Sequence, residues 1–143
     1  MPITAVCEYC FKEYQVKSAF AGRTGKLGHD GVTYFIGSRR RKLLSKELVD
    51  VELDSCTAAY LESRPRLQEF GRWPISIGNH PGIELRLVGP GHEDRVRFFI
   101  FEDDILMQSV SAENTRLPKE NMRRFFDSLT VDGQPVEQGK ENP

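Results

Sequence analysis

Residues 72–110 read RWPISIGNHPGIELRLVGPGHEDRVRFFIFEDDILMQSV, a stretch in which four apolar or β-branched runs alternate with turn residues. Short runs separated by Gly, Pro, Asn and Asp are typical of an antiparallel β-meander. Ile83, Leu85 and Leu87 alternate with charged residues, which predicts a strand with one buried face. We expect Pro81-Gly82 to make a tight turn in which Gly82 has a positive φ or a close backbone neighbour. The predicted strands are Trp73–Ile77, Ile83–Val88, Val96–Phe101 and Ile105–Val110, of which the third is apolar on both faces and should be central.

Helices are predicted before and after the meander, so the predicted fold class is α+β, an antiparallel β-meander covered by helices. Asp54 or Ser55 can cap a helix that turns Cys56 and Tyr60 toward the sheet, after an edge strand over Val49–Leu53. A second helix should begin near Pro118 and carry an apolar stripe of Met122, Phe125, Phe126 and Leu129. With this stripe we expect Leu85, Leu87, Phe98, Ile100 and Leu106 to build the core.

Charge is unevenly distributed along the chain, whose formal net charge is −1. Residues 1–46 contain nine basic and three acidic residues, whereas residues 47–143 contain eleven and eighteen. A basic front and an acidic remainder suggest two units that have different tasks or attract each other. The sequence therefore predicts a small N-terminal ribbon-like β module (1–37), a basic linker or short helix (38–50), the α+β domain (51–131) and a flexible tail (132–143).

The N-terminal module contains Cys7-Glu8-Tyr9-Cys10, and cysteines at this spacing can present two thiolates to one metal ion. Together with Tyr14-Gln15-Val16 and Ala21-Gly22-Arg23, this run resembles the small zinc ribbon at the N-terminus of many bacterial proteins. That family has a second cysteine pair, whose positions here hold Leu27 and Asp30. Because leucine cannot bind zinc and a structural ion needs four ligands, we expect the ribbon to persist without stoichiometric zinc. The alternative is a zinc site formed by Cys7, Cys10, His29 and Asp30.

A second resemblance covers residues 51–131. The order of elements and three short segments resemble the C-terminal part of the PsbP-like α/β/α sandwich domains found in many bacterial proteins of unassigned function. The first strands of that fold are shortened or missing in this sequence. The resemblance implies a fold and a binding or accessory role, and it implies no active site because such folds host many functions. The matching segments are His80–Leu85, Ile105–Gln108 and Arg124–Leu129.

No catalytic constellation is recognisable, so the leading hypothesis is a non-enzymatic protein-interaction or accessory module with a protein partner. The alternative is nucleic-acid binding by the basic N-terminal third, through Arg23, Lys26, Arg39, Arg40, Arg41 and Lys42. A third hypothesis is a small hydrolase that uses Glu102-Asp103-Asp104 with His92, although we expect these acids to form a solvated turn. Cys56 would be a nucleophile only beside a histidine, and we expect a buried structural thiol.

The sequence has neither a basic and apolar leader nor an apolar run long enough to cross a membrane, so we expect a cytoplasmic protein. Two of its three cysteines form the C-x2-C pair, which fits a reducing compartment better than a disulfide framework. Zinc is the one cofactor that the sequence suggests. The identity of the partner and the oligomeric state stay open at this point.

Overall fold

The computed structural model describes residues 2–7, 12–17, 24–29, 31–41, 48–102, 104–114, 116–117, 119–127, 129–131 and 134–138. These residues contain helices α1 (Val49–Ser63) and α2 (Lys119–Asp127). The strands are β1 (Pro2–Cys7), β2 (Lys12–Lys17), β3 (Thr24–His29), β4 (Val32–Arg40), β5 (Gln68–Ile77), β6 (His80–Gly89), β7 (His92–Ile100), β8 (Asp104–Glu113), β9 (Thr130–Val131) and β10 (Gln134–Gln138).

The described strands form one antiparallel sheet in the order β2-β1-β9-β10-β5-β6-β7-β8-β4-β3. The predicted meander is confirmed as β5 to β8, since each of these strands pairs with the next one along the chain. The third predicted strand, now β7, lies between β6 and β8 and is therefore central, as its apolar residues on both faces predicted. The described part of the chain thus has an α+β fold.

Strand β4 belongs to the same sheet as the meander. It pairs with β8 over its whole length, from Val32 opposite Ala112 to Arg40 opposite Asp104. The boundary predicted between residues 37 and 38 falls inside this strand. Residues 38–40 continue β4, where the sequence predicted a basic linker or short helix, because their backbone completes the ladder with the start of β8.

Two other elements differ from the prediction. Helix α1 begins at Val49, so the predicted edge strand over Val49–Leu53 is wrong. Leu53, Cys56 and Tyr60 recur at helical spacing and are buried, whereas Val51 is 53% exposed, as expected for the outer side of a helix. Residues 134–138 form β10, which pairs with β5, where the sequence predicted a flexible tail.

The first hairpin of the meander turns at Gly78 and Asn79, so the tight turn predicted at Pro81-Gly82 is wrong. Gly78 adopts a φ of 57°, which glycine reaches without strain. Gly82 instead lies within β6, paired with Phe99 of β7. The close backbone neighbour predicted for Gly82 is confirmed, because a Cβ at this position would lie 2.4 Å from the carbonyl oxygen of Phe98.

The sheet divides the apolar core into two layers. Side chains alternate along β7, so Phe98 and Ile100 pack in the layer that contains α1, whereas Phe99 packs in the layer that contains α2. All predicted core residues are buried, but they do not form one cluster. Leu85 and Leu87 belong to the α1 layer. Leu106 belongs to the α2 layer, together with the whole predicted stripe, which ends at Leu129 just after α2.

Candidate binding cavity

An open cavity of about 400 Å³ lies between α1 and the part of the sheet formed by β4, β7 and β8. Its floor is apolar because alternate residues of these strands face α1, namely Phe35, Phe98, Ile105 and Met107. Ala59 extends the wall from the exposed flank of α1. The volume is within the range of pockets that hold small ligands or an inserted side chain.

Two arginines stand at this cavity, Arg39 on β4 and Arg64 directly after α1, and none of the described residues that line it is acidic. Nη2 of Arg39 donates a hydrogen bond to Sγ of Cys56 at 3.5 Å. Burial raises the pKa of the Cys56 thiol, and the hydrogen bond and charge of Arg39 act in the opposite direction. Cys56 is 3% exposed, which confirms the predicted buried thiol. The ionisable groups that act on this thiol are Arg39 and Glu52, and not the histidine of the nucleophile hypothesis.

A buried polar network fixes α1 to the sheet beside the cavity. Asp94 on β7 is fully buried, and its Oδ2 accepts hydrogen bonds from Tyr60 Oη at 2.7 Å and from Arg64 Nε at 3.3 Å. Nε2 of His92 lies 2.7 Å from Asp94 Oδ1 and 2.8 Å from Ser111 Oγ. Burial, and then the charge of Asp94, raise the pKa of Tyr60 well above its ordinary value. Tyr60 therefore stays protonated at neutral pH and acts as a fixed donor.

The serine, histidine and aspartate of this network are not arranged as a proton relay. His92 uses Nε2 for both of these contacts, so the ring does not bridge Ser111 and Asp94 through its two nitrogens. A catalytic triad needs one ring nitrogen on the nucleophile and the other on the carboxylate. The geometry of His92 therefore differs from that of a catalytic triad, and the hydrogen bonds of Asp94 join α1 and the residue after it to β7.

The described acidic residues of the hydrolase hypothesis, Glu102 and Asp104, lie far from His92. This histidine begins β7, whereas the acidic run follows the other end of the same strand. At about 3.3 Å per residue, the two positions are roughly 25 Å apart. Glu102 is exposed, Asp104 is 2% exposed, and Asp103 lies outside the described residues. Glu102 and Asp104 therefore do not converge with His92 on one site, and the burial of Asp104 contradicts the solvated turn expected there.

The structure does not bring Arg39, Arg40 and Arg41 of the nucleic-acid hypothesis onto one surface. Arg39 faces the cavity, and Arg40, the next residue of β4, faces the opposite side of the sheet. The side chain of Arg41 is 4% exposed; its Nε donates to Oε1 of Glu52 at 2.8 Å, and its Nη1 donates to two backbone carbonyls. Lys26 lies in β3, opposite Phe35, and Arg23 and Lys42 lie outside the described residues.

The candidate metal ligands are only partly described. Cys7 ends β1 and His29 ends β3, and in the sheet order these strands are separated by β9, β10, β5, β6, β7, β8 and β4. Cys10 and Asp30 lie outside the described residues. Among the residues that the structure describes, no three His, Cys, Asp or Glu side chains are grouped as metal ligands. The zinc ribbon and its metal site therefore stay predictions.

Sequence reasoning missed the burial of four carboxylates among the described residues, of which Glu52 and Asp94 lie at α1. Glu52 is 4% exposed, and it anchors the first turn of α1 to Arg41. A helix beginning at Val49 would have placed Glu52 on the same face as Cys56, so the correct helix start was the missing signal. Asp94 is hydrogen-bonded to Tyr60, which lies 34 residues away in the sequence, and no local sequence pattern predicts such a contact.

Comparisons with known proteins show the fold and leave the activity open. No family model matches the chain, and no curated protein matches it. The chain is similar to a crystal structure from Pseudomonas aeruginosa, that of a protein of unknown function described as a candidate regulator, with a TM-score of 0.51 and 16% sequence identity. The similarity covers 76% of this chain and 82% of the Pseudomonas chain. Neither described helix has the length and apolarity of a membrane-spanning helix.

Proposed function

We propose that the protein is a non-enzymatic interaction module that holds an apolar group of a partner protein in the cavity beside α1. The observation that carries this proposal is an open cavity of about 400 Å³ whose floor is apolar and whose helix wall is fixed by buried hydrogen bonds. A pre-formed site reduces the ordering cost of binding. The cavity opens along the exposed flank of α1, at Ala59 and Ser63, so a chain entering it can continue over the surface.

Nucleic-acid binding remains the second candidate, and it has less support. Arg41 is buried against Glu52, and Arg39 and Arg40 face opposite sides of β4. Phosphate contacts would give the affinity for DNA or RNA a steep dependence on salt. By contrast, the affinity that comes from apolar contacts between the cavity and a protein segment should not depend on salt.

The experiment selects peptides from a displayed library on the immobilised full chain and then titrates the synthetic peptides by fluorescence anisotropy. Ala59→Phe places a ring in the cavity and should weaken binding at least tenfold. Ala58→Phe adds the same ring to the neighbouring exposed position, which does not line the cavity, and should leave the affinity unchanged. Failure to select any binding peptide, or equal binding by the two variants, would overturn the proposal.

A further inference from the structure

The charges around the cavity indicate what kind of segment it accepts. Arg39 and Arg64 line it, and no described acidic residue does. Arg64 is paired with the buried Asp94, whereas the described residues give Arg39 no carboxylate partner. An entirely apolar group would fill the floor and leave Arg39 without an anionic counterpart. A carboxylate next to an apolar group would satisfy both parts of the surface.

The two arginines are not equally available to a ligand. Arg64 Nε already donates to the buried Asp94 at 3.3 Å, and its guanidinium lies 5.6 Å from the centre of the Tyr60 ring. Arg39 is exposed, and the side-chain partner that the described residues give it is the Cys56 thiol, a weak acceptor. Arg39 can therefore turn its remaining donors toward a carboxylate at the cavity mouth without losing an ion pair.

We infer that the cavity recognises an apolar side chain that stands beside an acidic residue in a partner protein, and that Arg39 is the specificity-determining cation. This inference rests on the proposed function and names the chemistry of the partner segment. The apolar side chain enters between Ala59 and the floor residues Phe35 and Met107, and the neighbouring carboxylate accepts hydrogen bonds from Arg39. Free fatty acids share this chemistry, so the experiment must separate them from a protein segment.

The experiment compares paired peptides on an array, in which Leu or Phe is followed either by Asp or Glu or by the uncharged Asn or Gln. The acidic peptides should bind about tenfold more tightly, and Arg39→Gln should remove that difference. Arg39→Lys keeps the charge and should restore part of it. Arg40→Gln is the matched control, because it removes the adjacent exposed arginine on the other side of β4. Circular dichroism verifies that all variants are folded.

The outcomes separate this inference from the proposed function. Peptides that bind equally well with Asn or Asp, or a preference for Asp that survives Arg39→Gln, would overturn the inference and leave a purely apolar interaction module. A third outcome is that no peptide binds, while decanoate displaces the anionic dye 1-anilinonaphthalene-8-sulfonate from wild type but not from Ala59→Phe. This result would show a fatty-acid site, and it would overturn both the proposed function and the inference, since both require a protein partner. Acidic peptides that need Arg39 and are blocked by Ala59→Phe would support both.

Discussion

Replacing Gly82 by alanine should strongly destabilise the protein, because the added methyl group has no room between β6 and β7. A Cβ at Gly82 would lie 2.4 Å from the carbonyl oxygen of Phe98 and 2.7 Å from Cδ1 of Phe99. Ordinary contacts begin near 3.4 Å, so the overlap with the carbonyl oxygen is about 1 Å. This oxygen belongs to the backbone of the neighbouring strand and cannot rotate away, so the two strands must separate.

The size of the effect follows from this separation. Inserting a methyl group into a packed site costs about 1–3 kcal/mol, and each weakened ladder hydrogen bond adds about 1 kcal/mol. We therefore expect Gly82→Ala to lower the free energy of unfolding by about 3 kcal/mol. For a chain of this length that corresponds to a fall in Tm of roughly 6–12 °C.

Urea unfolding followed by far-UV circular dichroism measures this change in free energy. Gly71→Ala is the matched control, because a Cβ there first meets a side-chain carbon of Trp73 at 3.3 Å, and a side chain can shift slightly. The control should stay within about 1 kcal/mol of the parent. If Gly82→Ala has the stability of the parent, the close approach of β6 and β7 is wrong.

Three further predictions concern the two core layers and the buried ionisable groups. Phe125→Ala should lower the free energy of unfolding, measured in the same urea assay, by about 3–5 kcal/mol, because the ring is 3% exposed in the α2 layer. The control Arg123→Ala, on the exposed side of the same helix, should change it by less than about 0.5 kcal/mol. Above about pH 10 the unfolded state loses the Tyr60 proton while the folded state retains it, so stability should fall as the pH rises. Tyr60→Phe should flatten this fall by up to about 1.4 kcal/mol per pH unit, and an unchanged slope would contradict the raised pKa. Glu52→Gln should cost about 3 kcal/mol, because it removes the carboxylate from the buried Arg41, and a melting temperature equal to that of the parent would argue against this ion pair.

Local patterns were sufficient where an element is defined by its own residues. The alternation in Ile83–Val88 and the stripe of α2 predicted a strand and a helix, and both are present. The strand predicted over Val49–Leu53 is wrong because the order Val, Asp, Val, Glu, Leu also fits the first turns of a helix. Only the longer pattern through Tyr60 separates the two periods, since a helix of fifteen residues shows its repeat and a short strand does not.

Elements that depend on distant partners could not be predicted in this way. Strand β4 exists as part of the sheet because β8, far along the chain, offers it a complete ladder. The cavity needs Phe35, Ala59 and Met107 from three separate elements, and none of these residues is unusual in its local context. The burial of Asp94 also depends on distant residues. It is tolerated because Tyr60 of α1 and Arg64, the residue after α1, donate hydrogen bonds to its carboxylate.

The position of β7 between the two core layers has a consequence for how the protein opens. Phe98 and Ile100 support α1, while Phe99, the residue between them, supports α2 on the other face. Neither helix can detach without loosening a strand on which the other rests, so both helices should unfold with β7 as one cooperative unit. The amide protons of β7 should then exchange with solvent more slowly than those of the other strands. A partner held beside α1 would slow hydrogen exchange in α2 as well, although that helix lies across the sheet from the cavity.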